Sequence, residues 1–457
     1  MSAADISGAA AAAETIPLSQ NQEFVCLFDH GSEDGPFGPR YHVVAAWRVT
    51  GAPINVNALR AALLDVVERH EALRTRIAGP AGSQYQEILP PSPVRLDIRD
   101  FPAVPEASRA ERAEALTQDF EAETISAHET PFLRAVLARF DDRDAVLALM
   151  THHLASDGLS MGVIIRDLAN RYAARTGHSV SDLPAAAQYR EYADWERAGA
   201  GARTDAAREY WRRQLDGAGF TAIPTDIPRS ANVPESTAAH RFLIPGEVAS
   251  AVDRLASTSR TTRFMALAAM YQLLVHRLTG ETDVVIATFT PGRYDQRFQE
   301  TVGPFFNFVP LRTNLAGCRS YRELLERTRR TCLEAFTHDI PSIQIFDQAP
   351  ALMEPAMADN ATAVVFQSLP DPRQLVEAPG GLRYARITRL LNSQPVASSV
   401  PDGALWDLNK DPSGEAIGVV GYKRNLFHQD TIAAMATDFA EIARVFSSAP
   451  DASPGLS

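Results

Sequence analysis

The chain has 457 residues, 45% hydrophobic and 22% charged, enough to bury a large core and more than one average domain holds. A formal net charge of −12 excludes a surface built to neutralise phosphates, so nucleic acid is not an expected partner. Its three cysteines, Cys26, Cys318 and Cys332, make neither a CxxC pair nor an even framework, which excludes a structural zinc site and a disulfide scaffold and fits a reducing cytoplasm.

In chain order, the first residues carry a short alanine run with Asp5 and Glu14, where a secretory signal needs a basic start and a longer apolar stretch; a flexible tail is predicted. Tyr41 to Val49 is rich in β-branched and aromatic residues and reads as a strand. Val56, Leu59, Leu63, Val66 and Val67 recur at three- and four-residue steps, which predicts a helix with Asn57 as its N-cap. Ser108 and Glu111 have capping-box spacing and open an exposed helix to about Glu123. Pro131 to Phe140 and Ala145 to Thr151, separated by an acidic turn, read as a hairpin. The next helix has Met161, Ile164, Ile165, Leu168 and Tyr172 on one face, which places residues 152–158 in a strand-to-helix turn.

Residues 185–219 are polar and alanine-rich and mark the connection between two lobes. The second half begins again with a largely buried helix, Phe264 to Leu278, stopped by Gly280, and a buried strand, Asp283 to Phe289. Residues 369–416 hold many prolines and are predicted as loop, and the last ten residues as frayed. The longest near-apolar stretch, Phe264 to Val275, is shorter than the roughly 20 residues that cross a bilayer. No membrane association is expected.

The segment His152-His153-Leu154-Ala155-Ser156-Asp157-Gly158 carries the chemistry. Neighbours at a strand end face opposite sides, so one histidine faces a cleft while the other turns into the core. An imidazole, with an ordinary pKa of about 6.5, suits a base for an attacking amine or hydroxyl. Asp157 would orient the loop. The Gly158 N–H, at the positive end of the following helix, suits a developing oxyanion. Such a site suits acyl transfer, and it needs no serine or cysteine nucleophile if the acceptor attacks a thioester directly. A metal site lacks a third histidine or a cysteine at ligand spacing, and adjacent histidines are a costly way to pack a core. His152 and Asp157 also fit the HxxxxD pattern of glycerolipid acyltransferases, but that reading implies a membrane enzyme.

These residues resemble the condensation domain of nonribosomal peptide synthetases, within the chloramphenicol acetyltransferase-like superfamily. The likeness covers nearly the whole chain. Leu18, Ser19 and Gln22 stand for the opening Leu-Ser-x-x-Gln, Arg69 to Thr75 for RHExLRT and 152–158 for HHxxxDG. Residues 189–195 approximate YxDYAxW, Gly292-Arg293 the family's Gly-Arg, and 302–312 VGxFxNxxxLR. Residues 338–341 resemble HQDxP without its glutamine, and Trp406-Asp407-Leu408 and 421–427 the closing segments. Glu23-Phe24 departs from the arginine and tryptophan often found near the opening motif.

The resemblance implies an α/β fold of two acetyltransferase-like lobes in a V-shaped pseudo-dimer with a central tunnel: a lobe over 15–190 carrying the motif, a lobe over 191–447, and flexible tails over 1–14 and 448–457. It implies that His153 contacts the acceptor nucleophile, His152 supports it, Asp157 pairs with Arg293, and Gly158 offers the oxyanion N–H. Ser19 and Asn307 are candidate tunnel-lining residues, with a turn-stabilising amide as the alternative for Asn307. Arg69, His70, Glu71 and Arg74 read as scaffold. Arg322, Arg327, Arg329 and Arg330 read either as a docking face for an acidic carrier protein or as a solvated helix face. No bound cofactor or metal is implied; the donor is an acyl or aminoacyl group on the phosphopantetheine of a peptidyl or acyl carrier protein. The chain holds no adenylation or carrier domain, so the expectation is a free-standing cytoplasmic condensation enzyme, with a monomer permitted. It would form an ester or amide on a small-molecule acceptor in antibiotic biosynthesis, enediynes included. A non-catalytic carrier-docking module and a coenzyme A-dependent O-acyltransferase are the alternatives.

Overall fold

The computed structural model describes residues 15–29, 31–199, 202–293, 295–368, 374–400 and 402–456; the tail expected at 1–14 lies outside them. The first half runs β1 (Ile16–Pro17), α1 (Gln20–Leu27), β2 (His42–Thr50), α2 (Val56–Arg69), β3 (Thr75–Ala78), β4 (Tyr85–Ile88), β5 (Arg95–Asp100), α3 (Arg109–Glu121), β6 (Leu133–Asp141), β7 (Asp144–His152) and α4 (Gly158–Arg175). The connection holds α5 (Tyr189–Ala198) and α6 (Ala202–Gln214). The second half runs β8 (Ile223–Pro224), β9 (Thr237–Ile244), α7 (Gly246–Thr258), α8 (Arg263–Thr279), β10 (Asp283–Thr290), β11 (Asn307–Asn314), α9 (Tyr321–Thr337), α10 (Ser342–Gln348), β12 (Ala361–Thr362), β13 (Val364–Gln367), β14 (Leu375–Glu377), β15 (Arg383–Arg386), β16 (Ala404–Lys410), β17 (Ala416–Lys423) and α11 (Gln429–Ser448).

Two six-stranded sheets organise the molecule, ordered β14-β15-β2-β7-β6-β5 and β11-β10-β13-β16-β17-β9. They are the sheets of two acetyltransferase-like lobes. In the first, β2 and β7 pair antiparallel from His42 opposite His152 to Thr50 opposite Asp144. Alternation then sorts their side chains: Ala45, Trp47 and Val49 pack with α2 and α4, while Ala46 packs with Leu116 and Phe120 of α3. In the second sheet, Phe366 and Trp406 lie side by side in register and pack with Tyr271 of α8 and Phe439 of α11.

Helix starts differ from expectation where the backbone, rather than the residue type, chooses the cap. Asn55, not Asn57, caps α2: its extended backbone lets Oδ1 accept from the Ala58 N–H at 3.0 Å. Ser108 ends a short 3-10 turn and makes no capping hydrogen bond. Gly280 stops α8 as expected, in the left-handed region at φ 78°. At the end of α2, Arg69 Nε and His70 Nε2 both meet Asp167 Oδ2 of α4, at 2.7 and 2.9 Å, the scaffold role expected of that segment.

The second half feeds the first. Residues expected as loop include β14 and β15, which join the first sheet along β2, and β16, a central strand of the second. The prolines lie outside these short strands. A lobe boundary at 190/191 would fall inside α5, whose Tyr189 and Tyr192 pack with Phe298 and Phe305 in the first core. At the other end, where fraying is expected, Pro450 and Ala452 carbonyls accept from the Arg322 and Tyr321 N–H groups, at 2.8 and 3.1 Å. Among the described residues no helix is long and apolar enough to cross a membrane.

Tyr384, 2% exposed in the donated strand β15, tests whether that strand belongs to the first core. Tyr384→Ala should cost about 3–5 kcal/mol by urea unfolding, the range for a large buried aromatic; a loss near zero would show that β15 contributes nothing to it.

Candidate active site

Strand β7 ends at His152, the chain turns with Ala155 N–H to His152 O at 3.0 Å, and α4 begins at Gly158 under an Asp157 cap. At this strand end the two neighbouring histidines have different surroundings. His152 is fully buried: its Nε2 lies 3.1 Å from the Gly38 carbonyl oxygen and its Nδ1 accepts from the Leu154 N–H at 3.2 Å. Those partners require a neutral ring protonated at Nε2, and burial agrees, pushing its pKa down to about 3.

His153 is partly exposed and held by the flat surfaces around it. Its ring stacks on Tyr41 at 4.9 Å and meets the edge of Phe306 at 4.8 Å, while its N–H donates to the Tyr41 carbonyl at 2.9 Å. Burial lowers its pKa, against the opposing charge of Asp157, so the ring is neutral and basic at neutral pH. Its Nδ1 is buried without a hydrogen-bond partner among the described residues.

Asp157 is committed elsewhere. Its carboxylate receives Arg293 Nη1 at 2.6 Å and Nη2 at 3.0 Å, and the Ser160 N–H and Oγ at 2.7 Å each. Burial would raise its pKa, but the Arg293 guanidinium and these hydrogen bonds outweigh it and hold the carboxyl below its usual range. It therefore orients the turn and is no proton acceptor. Arg293 also donates to the Thr301 carbonyl and lies over the Phe305 ring, 4.3 Å from its centroid. Gly292 makes this approach possible: φ is +62°, and a Cβ there would sit 1.7 Å from the Phe305 carbonyl oxygen.

Gly158 serves differently. It is exposed, its φ is not left-handed, and a Cβ would meet nothing within 4 Å. It carries the first N–H of α4, a group with no intrahelical partner. Ser160, Tyr41 and Phe306 were not singled out from the sequence. Ser160 Oγ bridges the lobes, giving its one proton to Asp157 and accepting the Gly303 N–H at 3.1 Å; its only local signal is its place in the first turn after Asp-Gly.

The two candidate tunnel-lining residues prove to be scaffold. Ser19 is fully buried, caps α1 and bonds Tyr189 OH at 2.8 Å. Asn307 has all its amide capacity engaged: Nδ2 donates to Asp339 Oδ1 and the Ile340 carbonyl, and Oδ1 accepts from the Ser342 N–H and Oγ. On α9, Arg322 pairs with Asp451, Arg327 with Glu323, and Arg329 donates to the Arg260 carbonyl, as on a solvated helix face. A surface groove of about 840 Å³ there contains both arginines and glutamates and none of the histidines. Among the described residues no group of three metal-binding side chains converges.

Several known proteins resemble this chain. The family model for the condensation domain matches residues 12–454. The chain is similar to phosphinothricin tripeptide synthetase PhsC of Streptomyces viridochromogenes, 31% identical over 95% of this chain and 39% of that protein, so it spans about two fifths of that relative. It is similar in structure to the SgcC5 protein of Streptomyces globisporus in complex with (R)-(-)-1-(2-naphthyl)-1,2-ethanediol and sucrose: TM-score 0.92, 46% identity, covering 96% of this chain and 100% of that one. It is also similar to the X-domain from teicoplanin biosynthesis in complex with OxyB: TM-score 0.71, 25% identity, covering 97% and 96%.

Removing one partner of the cross-lobe pair exposes its energetics. Arg293→Ala leaves Asp157 buried and uncompensated and should cost about 3–5 kcal/mol in chemical denaturation; an unchanged midpoint would contradict the pairing. Because the Asp157 pKa is depressed on folding, its contribution is full above its unfolded value of about 3.9 and is lost as pH falls through the folded value. The stability gap between wild type and Asp157→Asn should therefore close on acidification.

Proposed function

The chain belongs to the condensation-domain family, and from that premise we propose that it transfers an acyl or aminoacyl group from a carrier-protein thioester to a hydroxyl or amine of a small-molecule acceptor. The observation that carries the reading is the His153 ring: neutral, clamped by two aromatic groups, and set beside the open first turn of α4. With Nδ1 buried, Nε2 is the nitrogen left to meet the acceptor. It takes the acceptor proton as oxygen or nitrogen attacks the thioester carbonyl. The oxyanion forms against the Gly158 N–H and the positive end of α4. The tetrahedral intermediate then collapses, the C–S bond breaks, and the imidazolium returns its proton to the departing thiolate of the phosphopantetheine arm. The products are an ester or amide and a free carrier thiol.

The aryl diol in the SgcC5 complex supports a hydroxyl acceptor and an ester product, and the similarity to antibiotic synthetases supports an antibiotic pathway, enediynes included. One observation favours a second reading, a docking module without turnover: the teicoplanin X-domain, of the same fold, is in complex with another protein.

Acyl-loaded carrier proteins, a 1-aryl-1,2-ethanediol and matched amines, followed by mass spectrometry, decide between them. Wild type should form product and His153→Ala should lose at least about 100-fold in rate; carrier binding without product would favour docking. Since the imidazole must be neutral and its pKa is lowered, kcat should hold through pH 7 and fall only below the ordinary histidine value of about 6.5. Gly158→Ala should melt like wild type, because its methyl group meets no protein atom, yet turn over more slowly because that methyl group occupies the oxyanion space; unchanged turnover would remove Gly158 from the site.

A further inference from the structure

Both histidines are held by one segment outside their own strand and helix. Residues 31–41 cross the turn as a strap: the Gly38 carbonyl faces His152 Nε2, the Tyr41 carbonyl accepts the His153 N–H, and the Tyr41 ring stacks on His153. The strap is tightly wound. Gly38 N–H donates to the Gly35 carbonyl at 2.8 Å, Tyr41 N–H to the Gly38 carbonyl at 3.2 Å, and a Cβ on Gly38 would sit 2.0 Å from the Glu33 carbonyl oxygen. These bonds couple the Asp34 end of the strap to its Tyr41 end.

The first lobe holds the strap where the Ile125 N–H donates to the Pro39 carbonyl at 2.9 Å and Arg40 Nη1 to the Ala122 carbonyl at 3.1 Å; the second lobe holds it at Asp34 and Arg40. Lys423, the last residue of β17, is only 4% exposed. Its Nζ stands 3.9 Å from Asp34 Oδ2, 3.5 Å from the Asp34 carbonyl oxygen and 3.3 Å from Glu235 Oε2. Ser399 adds two contacts: its N–H donates to the Arg40 carbonyl at 2.8 Å and its hydroxyl to the Asp34 carbonyl. Asp34 and Ser399 are themselves buried. Burying a lysine is costly even beside two carboxylates, and none of these groups touches the reacting atoms.

We propose that Lys423 is a positioning residue: by clamping Asp34 it fixes the strap to the second lobe and so sets the orientation and enclosure of the His153 ring. The assignment rests on the reading of His153 as the base. It makes the base depend on the contact between lobes, because loosening Asp34 and Arg40 from Lys423 and Ser399 lets the Tyr41 ring shift on the imidazole even while the Tyr41 carbonyl stays bound to the His153 N–H. The groups facing that ring are Tyr41 from the strap, Phe306 from the segment before β11, and His152 and Asp157 from its own turn. Of these, Tyr41 alone is carried by the strap, so its release increases the ring's exposure to water and leaves the Asp157 charge in place.

The test reads the ring directly. His153 is titrated by NMR in full-length protein with labelled histidine, its signal assigned by difference from His153→Asn. Wild type should titrate below the ordinary histidine value, Lys423→Met should move the midpoint upward toward it, and Lys423→Arg should restore most of the shift. With a working donor and acceptor, Lys423→Met should lose about 10- to 100-fold in kcat with little change in KM, and the acid limb of its pH profile should move to higher pH. Folded Lys423→Met with an unchanged His153 titration overturns the proposal, as does a rise in KM alone. Should that variant fail to fold, Ser399→Ala removes only a hydroxyl contact and should shift the titration in the same direction; no shift there overturns it equally. Wild type without transfer activity would sink the proposed reaction, while the titration still decides the clamp.

Discussion

The bidentate pair between Asp157 and Arg293 joins the first helical turn after the histidines to a loop of the second half. Its two charges are almost wholly withdrawn from water, a loss that only dense hydrogen bonding offsets. Ser160 supplies two of those bonds to the carboxylate, and the Thr301 carbonyl and the Phe305 face engage the guanidinium. The geometry of the site follows. Asp157 fixes where α4 starts, hence where the Gly158 N–H points, and Arg293 and Ser160 fix residues 301–305, hence where Phe306 meets His153.

The histidine pair shows how one strand end makes two chemically distinct groups. His152 has both ring nitrogens satisfied and is locked in one neutral tautomer; His153 is held by ring contacts and keeps nitrogen capacity unspent. Aromatic walls restrain the His153 ring's orientation without competing for its lone pair and lower its pKa by excluding water. The proposed transfer asks for a base neutral at working pH and fixed in direction.

The lobes are not independent bodies meeting at a seam. The second half donates β14 and β15 to the first sheet, and Phe298, Val302 and Phe305 to its core. Glu121 of α3 reaches back to Arg241 of β9. Such exchange means that the relative placement of the halves is set by shared cores and buried polar pairs, so groups far apart in sequence hold a few ångströms of registration at His153.

Local order was legible in the sequence because its causes are local. The 3.6-residue recurrence of Val56 to Val67 and Met161 to Tyr172, the hairpin around 141–144 and the Gly280 stop each depend on neighbours a few residues away. The ordered motifs carried the family and, through it, the expectation that Asp157 meets Arg293. Caps were misplaced by two residues at Asn55 because side-chain type alone does not report backbone angles. The strands within 369–416 were missed because three- to seven-residue strands give too short an alternation to stand out among prolines. Ser19 and Asn307 lie at motif positions, but their hydrogen bonds turn them inward. Tertiary structure alone decided that Tyr41 and Phe306 enclose the imidazole, that Ser160 ties the halves, and that Lys423 reaches the strap. These partners are brought together by chain closure over long separations, and no periodicity in the sequence records where a distant side chain will arrive.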